Sequence, residues 1–306
     1  MSKFIFNFFL FVVCVLIAYP VMIFLFGFLP IPQSLKPNLN YKIGAYGHMF
    51  TRIHEVKKIN GSVDILFLGS SHSYRGFDPR NFKGKKTFNL GSSSQTPIQT
   101  KILLERYLDK ISPKTVIYEV YPGTFSIDGV ESSLDLIAND QNDFKSIKMA
   151  FELNNIKTYN TLIYASFANI LNLNKNFIEL AQKDKDTYIS GGFVESESHY
   201  FRFVNYSKRE WEFKEIQIKA FNECLKLLRK KNIKTILVLA PITSRLYNSF
   251  RNNNFVDSTF KAYNLEYYNF NELMQLNDSL DFYDSNHLNQ NGVVRFNNKL
   301  IEILNL

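Results

Sequence analysis

The chain has 306 residues, enough for one large domain or two small ones, and its 45% apolar and 15% aromatic content excludes a disordered polypeptide. The net charge is +8, with the basic residues spread along the sequence and not gathered into a patch with stacking aromatics. The densest clusters, Lys83–Lys85–Lys86 and Lys226–Arg229–Lys230–Lys231, read as solvated turns and helix faces, so no nucleic-acid partner is expected. The two cysteines, Cys14 and Cys224, form neither a disulfide framework nor a zinc-binding spacing. No metal or cofactor is expected.

The stretch Phe4–Leu29 contains no charged residue, and Asn7 is its one strongly polar side chain. As a helix it would be about 39 Å long at ~1.5 Å per residue, enough to cross a hydrocarbon core of ~30 Å with some tilt. Its apolar run is too long for a cleavable signal peptide, and no small-residue cleavage site follows. An uncleaved anchor through residues 4–29 is expected, kinked at Pro20. Basic charges near the two ends almost balance, with Lys3 on one side and Lys36 and Lys42 on the other. The very short N-terminal tail favours a body outside the cytoplasmic membrane, periplasmic or extracellular.

Residues 30–40, with three prolines, read as a linker, and a short helix follows around Ile43–Ile59. Apolar strand patterns occupy Val63–Leu68, Thr87–Leu90 and Thr115–Val120, with an amphipathic helix over Thr96–Leu108 between the second and third. From Phe125 to Ser207 the rhythm breaks into short helical patterns (residues 144–153, 161–173 and 176–182) and a Gly/Ser/Glu-rich loop. A long amphipathic helix over Lys208–Lys231 leads to a strand at Thr235–Leu239. A helix from about Thr243, a strand at Leu265–Tyr268 and a closing helix over Gly292–Leu304 complete the chain. Continuously apolar strands alternating with helices predict an α/β three-layer sandwich around a mostly parallel sheet of about five strands. The expected organisation is an anchor (1–30), a linker with a short helix (31–60) and an α/β domain (61–306). That domain carries a helical insertion at about 125–207.

In open α/β sheets, sites form beyond the carboxyl ends of the strands. Gly69–Ser70–Ser71–His72 follows the first strand, Asn89–Leu90–Gly91 ends the second, and Asp284 and His287 stand three apart before the last helix. Alone, each piece reads as ordinary structure: a helix cap, a turn, an N-cap. Together they supply a serine hydroxyl, a base to take its proton and a carboxylate to orient the base.

The segments "FLGSSHSYRGFDP", "FNLGSSSQ" and "YDSNHLNQNGVVRF" resemble the first, second and last motif blocks of the SGNH/GDSL hydrolase superfamily. Its membrane-anchored cell-envelope branch is the most similar, namely the DltD-type proteins of teichoic acid D-alanylation and the alginate O-acetylation proteins. The resemblance implies a flavodoxin-like fold with Ser71 as nucleophile, His287 as general base and Asp284 as its orienting carboxylate. It also implies the Ser71 and Gly91 N–H groups as oxyanion donors; Ser70, His72 and Asn89, at the ends of the first two strands, are expected as pocket neighbours. The third block departs: "YEVYPGTF" stands where the family carries Gly–x–Asn–Asp, so a side-chain amide donor is missing and Tyr121 or Asn139 is left to compensate.

The function expected is a membrane-anchored serine esterase or O-acyltransferase acting on a cell-surface polysaccharide through a Ser71 acyl-enzyme. Transfer would call for a membrane-bound partner that exports the acyl group. A catalytically weak glycan-binding or assembly factor is the alternative, motivated by the altered third block. A lipid esterase facing the cytoplasm is a third reading.

Overall fold

The fold is that of a computed structural model, which describes residues 2–197, 200–202 and 204–306. Helix α1 covers Ser2–Phe28 and α2 covers Met49–Lys58; β1 (Ile65–Leu68) runs into α3 (Ser71–Gly76). Strand β2 (Thr87–Asn89), α4 (Pro97–Ile111) and β3 (Thr115–Glu119) follow. Four helices come next: α5 (Pro122–Ser126), α6 (Val130–Asn139), α7 (Phe144–Leu153) and α8 (Ile156–Ile170). Short strands β4 (Gln182–Lys183), β5 (Asp186–Ile189) and β6 (Phe193–Ser196) lead to α9 (Glu215–Lys230) and β7 (Lys234–Leu239). The chain ends with α10 (Ser244–Tyr247), α11 (Asn253–Lys261), β8 (Glu266–Asn269), α12 (Phe270–Leu273) and α13 (Gln290–Leu304).

These elements group into two compact units, residues 1–43 with 133–178, and residues 44–132 with 179–306. In the second unit the main sheet has the order β2-β1-β3-β7-β8, and every pair is parallel. This is the α/β architecture expected, with five strands and a flavodoxin-like order. The strands are apolar on both faces because both are covered. Ile65, Phe67, Ile117, Ile236 and Val238 pack with Phe77, Phe270, Phe296 and Leu300 on the side of α13. On the opposite face the Tyr118 ring meets Phe221 of α9 edge-on, and Cys224 of α9 lies against Pro97 of α4. The strand order reverses between β1 and β3, and the crevice at such a reversal is where α/β folds build sites.

Several boundaries differ from expectation. The helix expected from Lys208 begins only at Glu215, because Trp211 stacks face to face on Phe250 at 3.5 Å and its backbone N–H donates to Asn252 Oδ1. Residues 176–182 are not helical, and the Gly/Ser/Glu-rich stretch is not a plain loop. Strands β4, β5 and β6 form an antiparallel sheet, with Gly191 and Gly192 at the β5–β6 turn. The alternation of "DTYI" and "FVES" around a Gly–Gly pair is a hairpin signal. The hairpin tip docks on β2, where Asn89 N–H donates to the Gly191 carbonyl at 2.7 Å. Gly192 has φ +88°, and a Cβ there would lie 2.1 Å from the Asn89 carbonyl oxygen. Gly192→Ala should therefore lower stability by about 2–4 kcal/mol in denaturant unfolding, through backbone strain and displacement of the hairpin; an unchanged midpoint would show that the tip is not seated on β2.

In the first unit, α1 runs alongside α8. Tyr19 donates to Asn160 at 2.6 Å, and the Phe24 ring lies 5.7 Å from Tyr164 and 5.2 Å from Phe167. Helix α1 is the one helix among the described residues long and apolar enough to cross a membrane.

Candidate active site

The site is built from the second unit alone, beginning at the end of β1. Gly69 has φ +131°, and a Cβ would lie 2.6–2.9 Å from Glu119 atoms, so the turn leaving β1 accepts only glycine here. Ser70 is the N-cap of α3, its Oγ accepting from His72 N–H at 3.2 Å. Ser71 is the first helical residue, with its backbone N–H outside the intrahelical ladder. Both readings of the Gly–Ser–Ser turn hold at once: Ser70 is the cap, and Ser71, half-buried, is the hydroxyl that meets His287.

The partner loop lies between β8 and α13. Asp284 Oδ1 accepts from the N–H groups of Asn286 and His287 at 2.7 Å each, a tight turn that brings the His287 ring back over the carboxylate. His287 Nδ1 donates to Asp284 Oδ2 at 2.8 Å, so Nε2 is the bare nitrogen and accepts the Ser71 hydroxyl at 2.8 Å. Burial pushes the Asp284 carboxyl up, but its bonds to His287 and the two backbone N–H groups outweigh this and hold it below the usual range. The loop is pinned from the β7 side by Thr243, whose N–H and hydroxyl both donate to the Ser285 carbonyl. The His287 ring sits between Tyr283 (centroids 5.6 Å apart, 8° between planes) and His72 (5.0 Å, 28°).

The structure brings Ser71, His287 and Asp284 together across more than 200 residues of sequence. The other expected site residues stand as follows. Gly91 N–H donates to Asn89 Oδ1 at 3.0 Å, and the Tyr121 hydroxyl donates to Asn286 Oδ1 at 3.3 Å, so neither is aimed at an open position beside Ser71. The Asn139 amide donates to Asp135 within α6. Asn89 is fully buried and bonds to Ser73 through both ends of its amide. It holds the turn instead of facing a ligand. His72 lies under the Tyr121 ring, 4.1 Å between centroids, and lines a small cleft with Arg75, Asn286 and His287.

Two features of the site escape a reading of the sequence alone. Glu119, the last residue of β3, is buried, and its Oε2 accepts from Ser70 N–H at 2.9 Å and Ser70 Oγ at 2.8 Å. It occupies the floor of the turn on the β3 side, next to the position expected to offer an amide. An acidic residue ending an otherwise apolar strand is the available signal. Arg75 on α3 makes a bidentate pair with Asp186 of β5, at 2.9 and 2.5 Å, and so braces the helix that carries Ser71 against the small sheet. A cavity of about 520 Å³ shares Pro241 with the cleft and is lined by Tyr247, Asn248, Asn271, Glu272 and Gln275.

Chemically, a hydroxyl hydrogen-bonded to an imidazole that is in turn oriented by a carboxylate is the apparatus for attack on a carbonyl carbon. No known family profile matches the chain, and no curated protein matches it. Two solved structures are similar in chain path. One is an acylhydrolase candidate from Bacteroides fragilis, 10% identical with a TM-score of 0.42, over 83% of this chain and 93% of that one. The other is a GDSL-like lipase from Bacteroides thetaiotaomicron, 12% identical with a TM-score of 0.43, over 85% of this chain and 98% of that one. Identities this low leave the site to be judged on its own geometry.

Proposed function

We propose that this chain is a serine acyl hydrolase or acyltransferase of the SGNH type. The observation that carries the reading is the continuous Ser71–His287–Asp284 hydrogen-bond array, with both links at 2.8 Å. Ser71 Oγ attacks an ester carbonyl as its proton passes to His287 Nε2; the tetrahedral oxyanion collapses, and the alcohol departs with the proton from His287. Water, or a hydroxyl of an acceptor, then gives its proton to His287 and attacks the acyl–Ser71 ester, regenerating the serine.

The substrate we assign is an O-acylated cell-surface polysaccharide, handled by a protein held at the membrane through α1, with its α/β unit outside. Three observations support this reading. Residues Lys3–Phe28 have the length and composition of a membrane span. The same compact unit exposes Phe144, Phe151, Ile170 and Ile178, at 69–82%, which is costly in water. The 520 Å³ cavity offers the Tyr247 ring beside the amides of Asn248, Asn271 and Gln275, a lining suited to sugar hydroxyls. Transfer in place of hydrolysis would require a membrane partner that supplies the acyl group.

The test is capture by a fluorophosphonate of the full-length protein in detergent. A single adduct on Ser71, absent from Ser71→Ala, is expected. No adduct at neutral pH, together with glycan binding that survives Ser71→Ala, would favour the second reading, a non-catalytic glycan-binding factor. What favours that reading is the engagement of Gly91 N–H and the Tyr121 hydroxyl with Asn89 and Asn286. Each oxyanion donor lost costs about 10²–10³ in rate.

A further inference from the structure

Beside the Ser71 array lies a second chain of hydrogen bonds that the acyl-transfer steps do not use. Ser70 Oγ has one proton, and it sits 2.8 Å from Glu119 Oε2 and 3.1 Å from His72 Nδ1. A carboxylate only accepts, so with Glu119 ionised the Ser70 proton goes to Glu119, and His72 must donate from Nδ1. His72 Nε2 is then bare and buried, facing the Asn286 backbone. With Glu119 protonated, the whole chain reverses. One proton is taken up at Nε2, the Nδ1 proton passes to Ser70 Oγ, and the Ser70 proton passes to Glu119. The net change is one proton on Glu119, and His72 stays neutral throughout with its hydrogen on Nε2, where it can donate towards Asn286.

We propose that Glu119, Ser70 and His72 form a proton relay that sets which nitrogen of His72 carries hydrogen, making Glu119 a positioning residue for the loop that holds His287. The geometry makes the relay matter, since His72 stacks on the His287 ring at 5.0 Å and Asn286 precedes His287 in the chain. Burial pushes Glu119 up to about 7, the bonds from Ser70 and from the Tyr121 backbone N–H offsetting part of the rise, so the relay turns over near neutral pH. Burial, with His287 alongside, holds His72 well below its ordinary value, which keeps the ring neutral while it switches. The other groups facing the relay are Tyr118 within β3, Tyr121 beyond it, Arg75 on α3, Arg209 through Tyr121, and Asp284. None of these places a cation against Glu119 that would keep it ionised.

The consequence for Ser71 rests on the acyl-transfer reading, but the relay itself can be read without turnover. The chain has five histidines, so side-chain nitrogen resonances of the ¹⁵N-histidine-labelled full-length protein in lipid nanodiscs can be followed from pH 5.5 to 8.5, with His72 assigned by its loss in His72→Phe. The expected result is an exchange of the His72 nitrogen shifts near pH 7, from hydrogen on Nε2 below to hydrogen on Nδ1 above, and a single pattern at all pH values in Glu119→Gln. One unchanging tautomer in the wild type overturns the relay, as does conversion of His72 to imidazolium in this range. An exchange that persists in Glu119→Gln also overturns it. Fluorophosphonate capture on the same samples separates the two ideas. If His72 switches but Ser71 is never labelled, the relay stands and the hydrolase reading falls. If Ser71 is labelled but His72 does not switch, the reverse holds.

Discussion

Replacing His287 with alanine should slow fluorophosphonate capture at Ser71 by about 10³-fold or more, and Asp284→Asn should slow it by about 10²–10⁴. The first removes the acceptor that sits 2.8 Å from the Ser71 hydroxyl. At neutral pH a serine with no base nearby presents almost no alkoxide, so the residual rate is that of the oxyanion donors and binding alone. The second keeps the volume and the turn but changes the ring. An asparagine can offer Oδ1 to the backbone N–H groups of Asn286 and His287, yet its NH₂ then faces His287 Nδ1. The imidazole is driven to place its hydrogen on Nε2, pointing it at Ser71, and loses its role as acceptor. The two variants are to be compared as pseudo-first-order labelling rates at matched protein concentration, with circular dichroism checking the fold. Equal rates in wild type and His287→Ala would end the catalytic reading of this loop. The effects should not add, because both act through the one proton transfer.

A second large effect is expected on stability, from Glu119→Gln. Glu119 has an ordinary value of 4.5 and is raised to about 7 in the fold, first by burial. The folded state therefore binds more protons than the unfolded state between about pH 4.5 and pH 7, and stability contributed by this group falls as pH rises through that window. A tenfold change in proton affinity is worth ~1.4 kcal/mol, so the full cost is about 3 kcal/mol, present above pH 7 and absent below pH 4.5. Glutamine keeps an oxygen to accept from Ser70 and carries no charge to desolvate. The variant should unfold at higher denaturant than the wild type at pH 8, by an amount approaching that cost, with the gain shrinking towards zero at pH 5. His72 acts in the opposite direction, since a buried neutral histidine costs stability as pH falls below its ordinary value of 6.5. Only the difference between variant and wild type isolates Glu119. A gain independent of pH would mean that the carboxylate is not the titrating group, and a loss at pH 8 would mean that its charged bonds to Ser70 outweigh burial.

Much of the fold is legible along the chain because parallel strands covered on both faces must be apolar throughout. Ile65–Leu68, Thr115–Glu119 and Lys234–Leu239 announce themselves in this way. The small antiparallel sheet is less visible. Its strands are two to four residues long, and its placement depends on Gly192 meeting the Asn89 carbonyl, a contact between segments about 100 residues apart. The late start of α9 has the same origin, because the stacking of Trp211 on Phe250 takes those residues out of a pattern that is helical in isolation. The division into compact units also leaves no mark in composition, since residues 133–178 join α1 through contacts such as Tyr19 with Asn160.

For the site, the residue types and their order were determined by sequence alone. A glycine had to follow β1, a serine stands at the first helical position, and the Asp–x–x–His turn closes through its own backbone N–H bonds to the carboxylate. Spacing within a few residues is set by local backbone geometry, so it can be read from a string of letters. What tertiary structure decided is everything that crosses between strands. It set the 2.8 Å approach of His287 to Ser71, spent the Gly91 and Tyr121 donors on neighbouring asparagines, and put Glu119 beneath Ser70. Those contacts depend on strand order and register, which bring β1 and β3 side by side at the point where the sheet reverses. The pairing of distant segments is a global minimum of burial and hydrogen bonding, and no short stretch of sequence contains it.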